Sequence, residues 1–306
     1  MTTAIDLFAG FGGFTEGAEA AGIEVKWAAN HSSLAVKYHR LNHPGTEVVQ
    51  QDLQQANFMD APRTDIMLAS PCCQGHGNAA GKKRNSPSHD KSRNTAMSVV
   101  TAAEIHRHDA FVVENVKEFL EWTLYPAWKH AMELLGYTLA NHIVDAADYG
   151  VPQHRERLLI VGTKSKAPLF LDPLKQIHIP ASSFIEWDAP HTWRKVADKC
   201  LKTRQRVENG RRAFGDTFLA PFYGGGSGLT GRSLDRPVGT ITTVDRWALI
   251  RGDEIRVLQP SENRAGMGFR RSFILPKVKR EATHGLGNAV PPPLATAYLN
   301  ELQRRM

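Results

Sequence analysis

The 306-residue chain is poor in cysteine, with neighbouring Cys72 and Cys73 and a lone Cys200. Three thiols, two of them adjacent, cannot build a disulfide framework, so reduced thiols are expected. No second Cys/His cluster has zinc-ligand spacing, and no metal is expected. There is no run of eighteen apolar residues. The start, Met1-Thr2-Thr3-Ala4, carries neither a basic stretch nor a signal-like apolar segment. Membrane and secretory classes lose support, and a monomer in the cytoplasm is expected. Internal repeats and long low-complexity tracts are missing too, which argues against solenoids and linkers.

What is there is a globular composition, 42% hydrophobic and 23% charged, enough for one large core or two unequal ones. The net charge of +7 is unevenly spread. Between His191 and Arg212, Arg194, Lys195, Lys199, Lys202, Arg204, Arg206, Arg211 and Arg212 face only Asp198 and Glu208. Taken alone, such a run is a solvated helix face; with other support it becomes a phosphate-binding surface.

The first half alternates short apolar runs with amphipathic stretches. Ala4 to Phe8 and Val25 to Ala29 read as strands, with Thr15 to Ala21 a helix closed by Gly22. A helix from Leu34 to Leu41 stops at Asn42-His43-Pro44. Val48-Val49, Ile66 to Ala69, Phe111 to Val113 and Leu158 to Val161 are further strand candidates, and Thr95 to Arg107 a long helix. This rhythm predicts an α/β fold, a doubly wound, mostly parallel sheet of Rossmann type. From about Lys164 it breaks into Pro, Gly and basic residues with short β-like pieces such as Val238 to Thr243, so a second, smaller domain is expected there.

The loop Asp6 to Phe14 joins the first strand to the first helix, where glycines let backbone amides approach a ligand at the helix N-terminus. Thr15 stands where the third glycine of a dinucleotide fingerprint would fall, and no acidic residue ends the second strand, which weakens a nicotinamide cofactor. Ser70-Pro71-Cys72-Cys73-Gln74 places two thiols at the mouth of the strand Asp65 to Ala69, ahead of a glycine-rich basic stretch. A thiol so placed can attack a substrate entering from solvent.

Taken in order, Asp6 to Gly13, Ser70 to Gln74, Glu114-Asn115-Val116, Gln153 to Arg157 and Gly287-Asn288-Ala289-Val290-Pro291-Pro292 resemble the motif series of the cytosine-C5 DNA methyltransferases. Arg256 to Arg264, with Gly268-Phe269, resembles a late motif of the same family. Only about Lys164 to Asp253 lacks the likeness, and in that family this interval is the variable target-recognition region. The resemblance implies a catalytic and cofactor-binding domain over 1–163, a small target-recognition domain over 164–272, and a return of 273–306 to the first.

The implied activity is methyl transfer from S-adenosylmethionine to C5 of a cytosine flipped out of double-stranded DNA, as in restriction-modification systems. C5 is a poor nucleophile until a thiolate adds at C6, so a cysteine is required. By resemblance it is Cys73, which precedes Gln74 as in the family's Pro-Cys-Gln pattern; Cys72, directly after Pro71, is the alternative and stands where a second proline is usual. Glu114 is implied as the group serving N3, Asn115 as holding base and loop, and Arg155 with Arg157, at alternating strand positions, as serving the cytosine O2 and the cysteine loop. The donor is implied to contact Phe8, Gly10, Phe11, Gly12, Asp52, Leu53, Pro71, Asn288 and Val290. His31 replaces the family's usual acidic ribose ligand and is kept as a contact, since an imidazole can hydrogen-bond a hydroxyl. DNA contacts are implied for Gln74, Lys82, Lys83 and Arg84 of the loop, and for Arg194, Lys195, Lys199, Lys202, Arg204 and Arg206 of the basic segment. An RNA-directed member of the family, or a silent nucleic-acid-binding relative, are the alternatives.

Overall fold

The computed structural model describes residues 1–72, 94–221 and 231–306. They form two compact units: the first comprises 1–145, 156–174 and 289–306, the second 146–155 and 175–288.

The first unit is built on a seven-stranded sheet. Its strands are β1 (Thr3–Leu7), β2 (Glu24–Asn30), β3 (Glu47–Gln50), β4 (Ile66–Ala69), β5 (Ala110–Asn115), β6 (Thr138–Asp145) and β7 (Glu156–Thr163), in the order β3-β2-β1-β4-β5-β7-β6. Neighbours from β3 to β5 run parallel, and β7 is antiparallel to both β5 and β6. β4 and β5 are buried along their whole length. Continuous apolar runs such as Ile-Met-Leu-Ala and Phe-Val-Val are what a sheet covered on both faces demands. The expected doubly wound, mostly parallel sheet is therefore present.

Helices α1 (Gly13–Ala20), α2 (Ser33–Asn42), α3 (Met97–His106) and α4 (Tyr125–Leu134) follow strands in this unit. Ser32 caps α2, its hydroxyl accepting from the amide of Ala35 at 3.3 Å. On one side of the sheet Phe111 meets Trp128 and Tyr137 edge-on, with ring centroids 6.4 and 5.1 Å apart. β6 was not anticipated. Its burial alternates along Thr-Leu-Ala-Asn-His-Ile-Val-Asp, so it lacks the apolar run that marks the central strands.

The second unit holds a four-stranded antiparallel sheet, β8 (Arg194–Lys195), β11 (Glu254–Val257), β10 (Trp247–Arg251) and β9 (Thr217–Pro221) in that order. The second half of the basic segment lies in α5 (Leu201–Phe214), whose Val207 packs on Phe218, Ala220, Ala248, Ile250 and Ile255. Helices α6 (Pro260–Gly266) and α7 (Lys279–Asn288) complete it. Arg256 and Glu262 make a buried two-pronged ion pair at 2.7 Å, and Glu262 also accepts the amides of Gln259 and Glu186. The stretch from Val238 to Thr243 is not a strand. A single bridge joins Val238 to Gln153, and beyond it side chains, not a neighbouring strand, take the backbone groups of Ile241.

The chain then returns to the first unit through α8 (Pro292–Arg305), which packs along α1; the hydroxyl of Thr296 donates to the carbonyl of Gly17 at 3.0 Å. No helix among the described residues is long and apolar enough to cross a membrane.

Candidate active site

Parallel sheets of this kind place ligands at the carboxyl ends of their strands. β4 ends at Ala69, and the amide of Ser70 still donates to Leu7 of β1 at 3.0 Å. Pro71 and the half-buried Cys72 follow, with the Cys72 amide donating to the Thr95 hydroxyl at 3.1 Å. Cys73, Gln74, Lys82, Lys83 and Arg84 lie outside the described residues.

On the adjacent strand, Glu114 and Asn115 end β5. The side-chain amide of Asn115 donates to the Pro71 carbonyl at 3.0 Å, and its oxygen accepts the Val116 amide at 2.9 Å. Asn115 thus ties the end of β5 to the segment that leads into the vicinal cysteines. β7 starts where antiparallel β5 ends, so Arg157 comes beside Glu114: Nε lies 3.0 Å from Oε1, with the two side chains 14% and 10% exposed. Glu114 is thus an ion-paired, largely buried carboxyl at the strand end.

Arg155 does something else. It belongs to the second unit, precedes β7, and is buried, donating through Nη1 to the carbonyl of Ile241 (3.0 Å) and through Nη2 to that of Gly287 (2.9 Å). The alternation that would put both arginines on one face fails because the strand begins only at Glu156.

The loop after β1 has an unusual backbone. Phe8, Gly10 and Gly12 all adopt positive φ, at 60°, 56° and 94°. Space in front of Gly10 is open, whereas a Cβ on Gly12 would meet Nε2 of His43 at 2.6 Å. Phe11 turns inward, 3% exposed, with its ring 5.9 Å from that of Tyr38. Beneath the loop, Asp6 is fully buried: Oδ2 accepts the Thr15 hydroxyl at 2.8 Å, and Oδ1 has no hydrogen-bond partner among the described residues. Desolvation pushes its carboxyl up to about 7, against a smaller opposing effect of Thr15.

Two buried histidines of α2 and its end, His39 and His43, stand edge to face at 4.9 Å, and Nδ1 of His43 lies 2.8 Å from Glu19. Burial, and then the neighbouring His43, lower His39 to about 3, so it is neutral at ordinary pH. Neither histidine was singled out from sequence. Their i, i+4 spacing on a helix with buried Ala35 and Val36 was the available signal.

These features suit a nucleoside-type cofactor. The open space at Gly10 leaves room for a ligand to approach the loop that leads into α1. Leu53 is buried and lines a cavity of about 180 Å³ with Ala56, Phe58, Asn94 and Met97. Asp52 is exposed, its carboxylate accepting the Gln54 amide at 3.1 Å. At the end of β2, Asn30 spends its oxygen on the Ser32 amide (3.0 Å), while the His31 side chain is exposed. Val290 is buried in the first unit; Asn288 is the exposed last residue of α7 in the second.

The basic segment divides in two. Arg206 donates to the carbonyl of Pro221 at 2.8 Å, and Arg211 and Arg212 pair with Glu208, Asp216 or Asp253. Arg194, Lys195, Lys202 and Arg204 are exposed and, with Lys199, make no ion pair among the described residues.

Known proteins share this organisation. The chain is 27% identical to the type II methyltransferase M.NlaX of Neisseria lactamica over 99% of its own length and 96% of that protein. It is 26% identical to M1.HphI of Haemophilus parahaemolyticus over 96% and 85%. Its fold matches a DNA modification methyltransferase encoded within an E. coli prophage, with a TM-score of 0.73, 20% identity and 99% coverage of both chains. A Spodoptera frugiperda DNMT2 structure gives 0.71 at 16% identity, again with 99% coverage of both. The family model described as C-5 cytosine-specific DNA methylase matches residues 2–214, a span that includes the glycine loop, the cysteine segment and the Glu114–Arg157 pair, and the chain belongs to that family.

Proposed function

We propose that this chain transfers a methyl group from S-adenosylmethionine to C5 of a cytosine in double-stranded DNA, through a covalent adduct between Cys73 and C6 of a base flipped out of the stack. The observation that supports this most is the triangle at the strand ends, with Asn115 holding Pro71 while Arg157 pairs with Glu114. It joins the segment leading to the thiol to the polar groups that would hold a pyrimidine ring.

The thiolate of Cys73 adds to C6, forming a C–S bond as the C5=C6 π pair moves toward C5 and N3. Glu114 meets N3 and Arg157 the ring's O2, so the charge that develops is held by groups fixed in advance. When bound, the donor would supply an electrophilic methyl carried on a sulfonium; C5 would take it as the methyl–sulfur bond breaks and its electron pair stays on sulfur, leaving a neutral thioether. A base removes the C5 proton, the pair re-forms the double bond, and the Cys73 thiolate leaves. Phe8, Gly10 and Gly12 would hold the donor, with Leu53 and Asp52 toward its base, Pro71, His31 and Val290 as further contacts, and Phe11 acting through its packing.

Flipping the base costs a few kcal/mol, which phosphate contacts must offset. Arg194, Lys195, Lys199, Lys202 and Arg204 are suited to that task, and Lys82, Lys83, Arg84 and Gln74 are proposed as contacts from sequence. Arg206 is bound to a carbonyl and is withdrawn to a structural role.

The test is a 5-fluorocytosine duplex with labelled donor. A complex that survives denaturation is expected with the wild type and with Cys72→Ser, and none with Cys73→Ser. Retention in Cys73→Ser with loss in Cys72→Ser would move the nucleophile to Cys72.

A further inference from the structure

We infer that Arg155, with Gln153, is a positioning residue for DNA-sequence selection: the two side chains clamp the segment 239–245 as the chain's base-reading loop. This rests on the proposed activity and gives Arg155 a task other than touching the base.

Within the second unit, residues 152–155 and 238–241 run side by side. The His154 amide donates to Val238 (2.7 Å), the Val238 amide to Pro152 (3.0 Å), and the Thr240 hydroxyl to His154 (2.9 Å). Where a ladder would continue, side chains replace it. Gln153 Oε1 accepts the Ile241 amide at 2.7 Å while its Nε2 donates to Gly266, and Arg155 donates to the Ile241 carbonyl. Gln153 is fully buried and Arg155 only 2% exposed, so these are contacts shielded from water.

The same guanidinium reaches the carbonyl of Gly287 at 2.9 Å. Gly287 lies against the peptide joining Thr242 and Thr243, where a Cβ would come within 2.3 Å of its backbone. Asp245 is held in turn by Lys279 (3.4 Å) and Thr283 (3.4 Å) of α7. The segment is therefore fastened from both sides. The hydroxyls of Thr240 and Thr242 are spent on the carbonyls of His154 and Val244, so what the segment leaves outward is the half-exposed Thr243, Val244 at 56%, and Arg246 just after it. Hydroxyl and guanidinium groups read base edges, and an apolar side chain of the size of valine can contact a thymine methyl. The segment lies beyond residue 214, where the family match ends.

Arg155→Lys cannot reach both carbonyls, because a single ammonium lacks the guanidinium's fork. Gln153→Leu removes the uncharged half of the clamp and carries the same test should Arg155→Lys fail to fold. Methylation is measured on the preferred duplex and on duplexes changed at one base. Both variants are expected to lower the ratio of kcat/KM between them about tenfold or more, with kcat at saturating preferred duplex changing less. Loss of kcat in Arg155→Lys with the ratio intact would overturn the proposal and return Arg155 to the base. The clamp is read separately by hydrogen exchange at the Ile241 amide, which should quicken in both variants. Unchanged exchange would refute the clamp itself, whereas quickened exchange in both variants of a protein whose wild type methylates no DNA would refute only the activity.

Discussion

The Nε atom of Arg157 stands 3.0 Å from Oε1 of Glu114, across the one antiparallel junction that β5 makes. Only that strand direction brings the start of β7 to the end of β5, so the reversal in the sheet is what assembles the pair. Glu114→Gln keeps the shape and removes the charge and the exchangeable proton. Single-turnover methyl transfer should fall by about a hundredfold or more, the range of a lost general acid–base group, with DNA affinity little changed. A variant within threefold of wild type would remove Glu114 from the chemistry.

Asp6 should make stability depend on pH. Its folded-state carboxyl titrates near 7 and its ordinary value is 3.8, so between these the native state binds more protons than the unfolded chain. The contribution is complete below the ordinary value and is lost as pH rises through about 7. Asp6→Asn has no charge to bury and can still accept from Thr15. Its thermal midpoint relative to wild type should therefore climb from pH 5 to pH 8; a constant difference would show that Asp6 does not titrate in this window.

Much of this was visible beforehand, and the omissions have physical causes. The core strands are apolar runs, so β1, β4, β5 and β7 stand out, and Glu114 and Asn115 could be placed at a strand end from Phe111-Val112-Val113 alone. β6 has an exposed face and no such run. Arg155 and Arg157 look equivalent in sequence because alternation is a property of strands, and the strand starts between them. Val238 to Thr243 has strand-like residues, yet side chains of Gln153 and Arg155 take its hydrogen bonds. Such long-range substitution for a ladder leaves no local pattern.

The split of the basic helix predicts two kinds of arginine variant. Arg204→Ala removes an exposed cation that makes no ion pair among the described residues, so it should weaken DNA binding alike on all sequences and lower the slope of log affinity against log salt by about one. Arg206→Ala leaves the Pro221 carbonyl without its donor and should lower the thermal midpoint instead, with the salt slope unchanged. Fluorescence anisotropy over a salt series, with a melting curve for each variant, separates them. Equal slopes for wild type and Arg204→Ala would take this face of α5 away from DNA.

Gly12 allows steric crowding and backbone strain to be told apart. Its φ of 94° is one that residues with a Cβ avoid, and the added carbon would also press on His43 at 2.6 Å. Gly12→Ala should weaken donor binding in calorimetry, because both effects distort the loop. His43→Gly in that background opens the space and leaves the dihedral cost, which for a left-handed residue is about 1–2 kcal/mol. The double variant should therefore regain part of the lost affinity, stopping about tenfold short of wild type. Full recovery would mean that only the imidazole constrains the loop. No recovery would mean that the backbone conformation alone requires glycine, with His43 yielding freely despite its hold on Glu19.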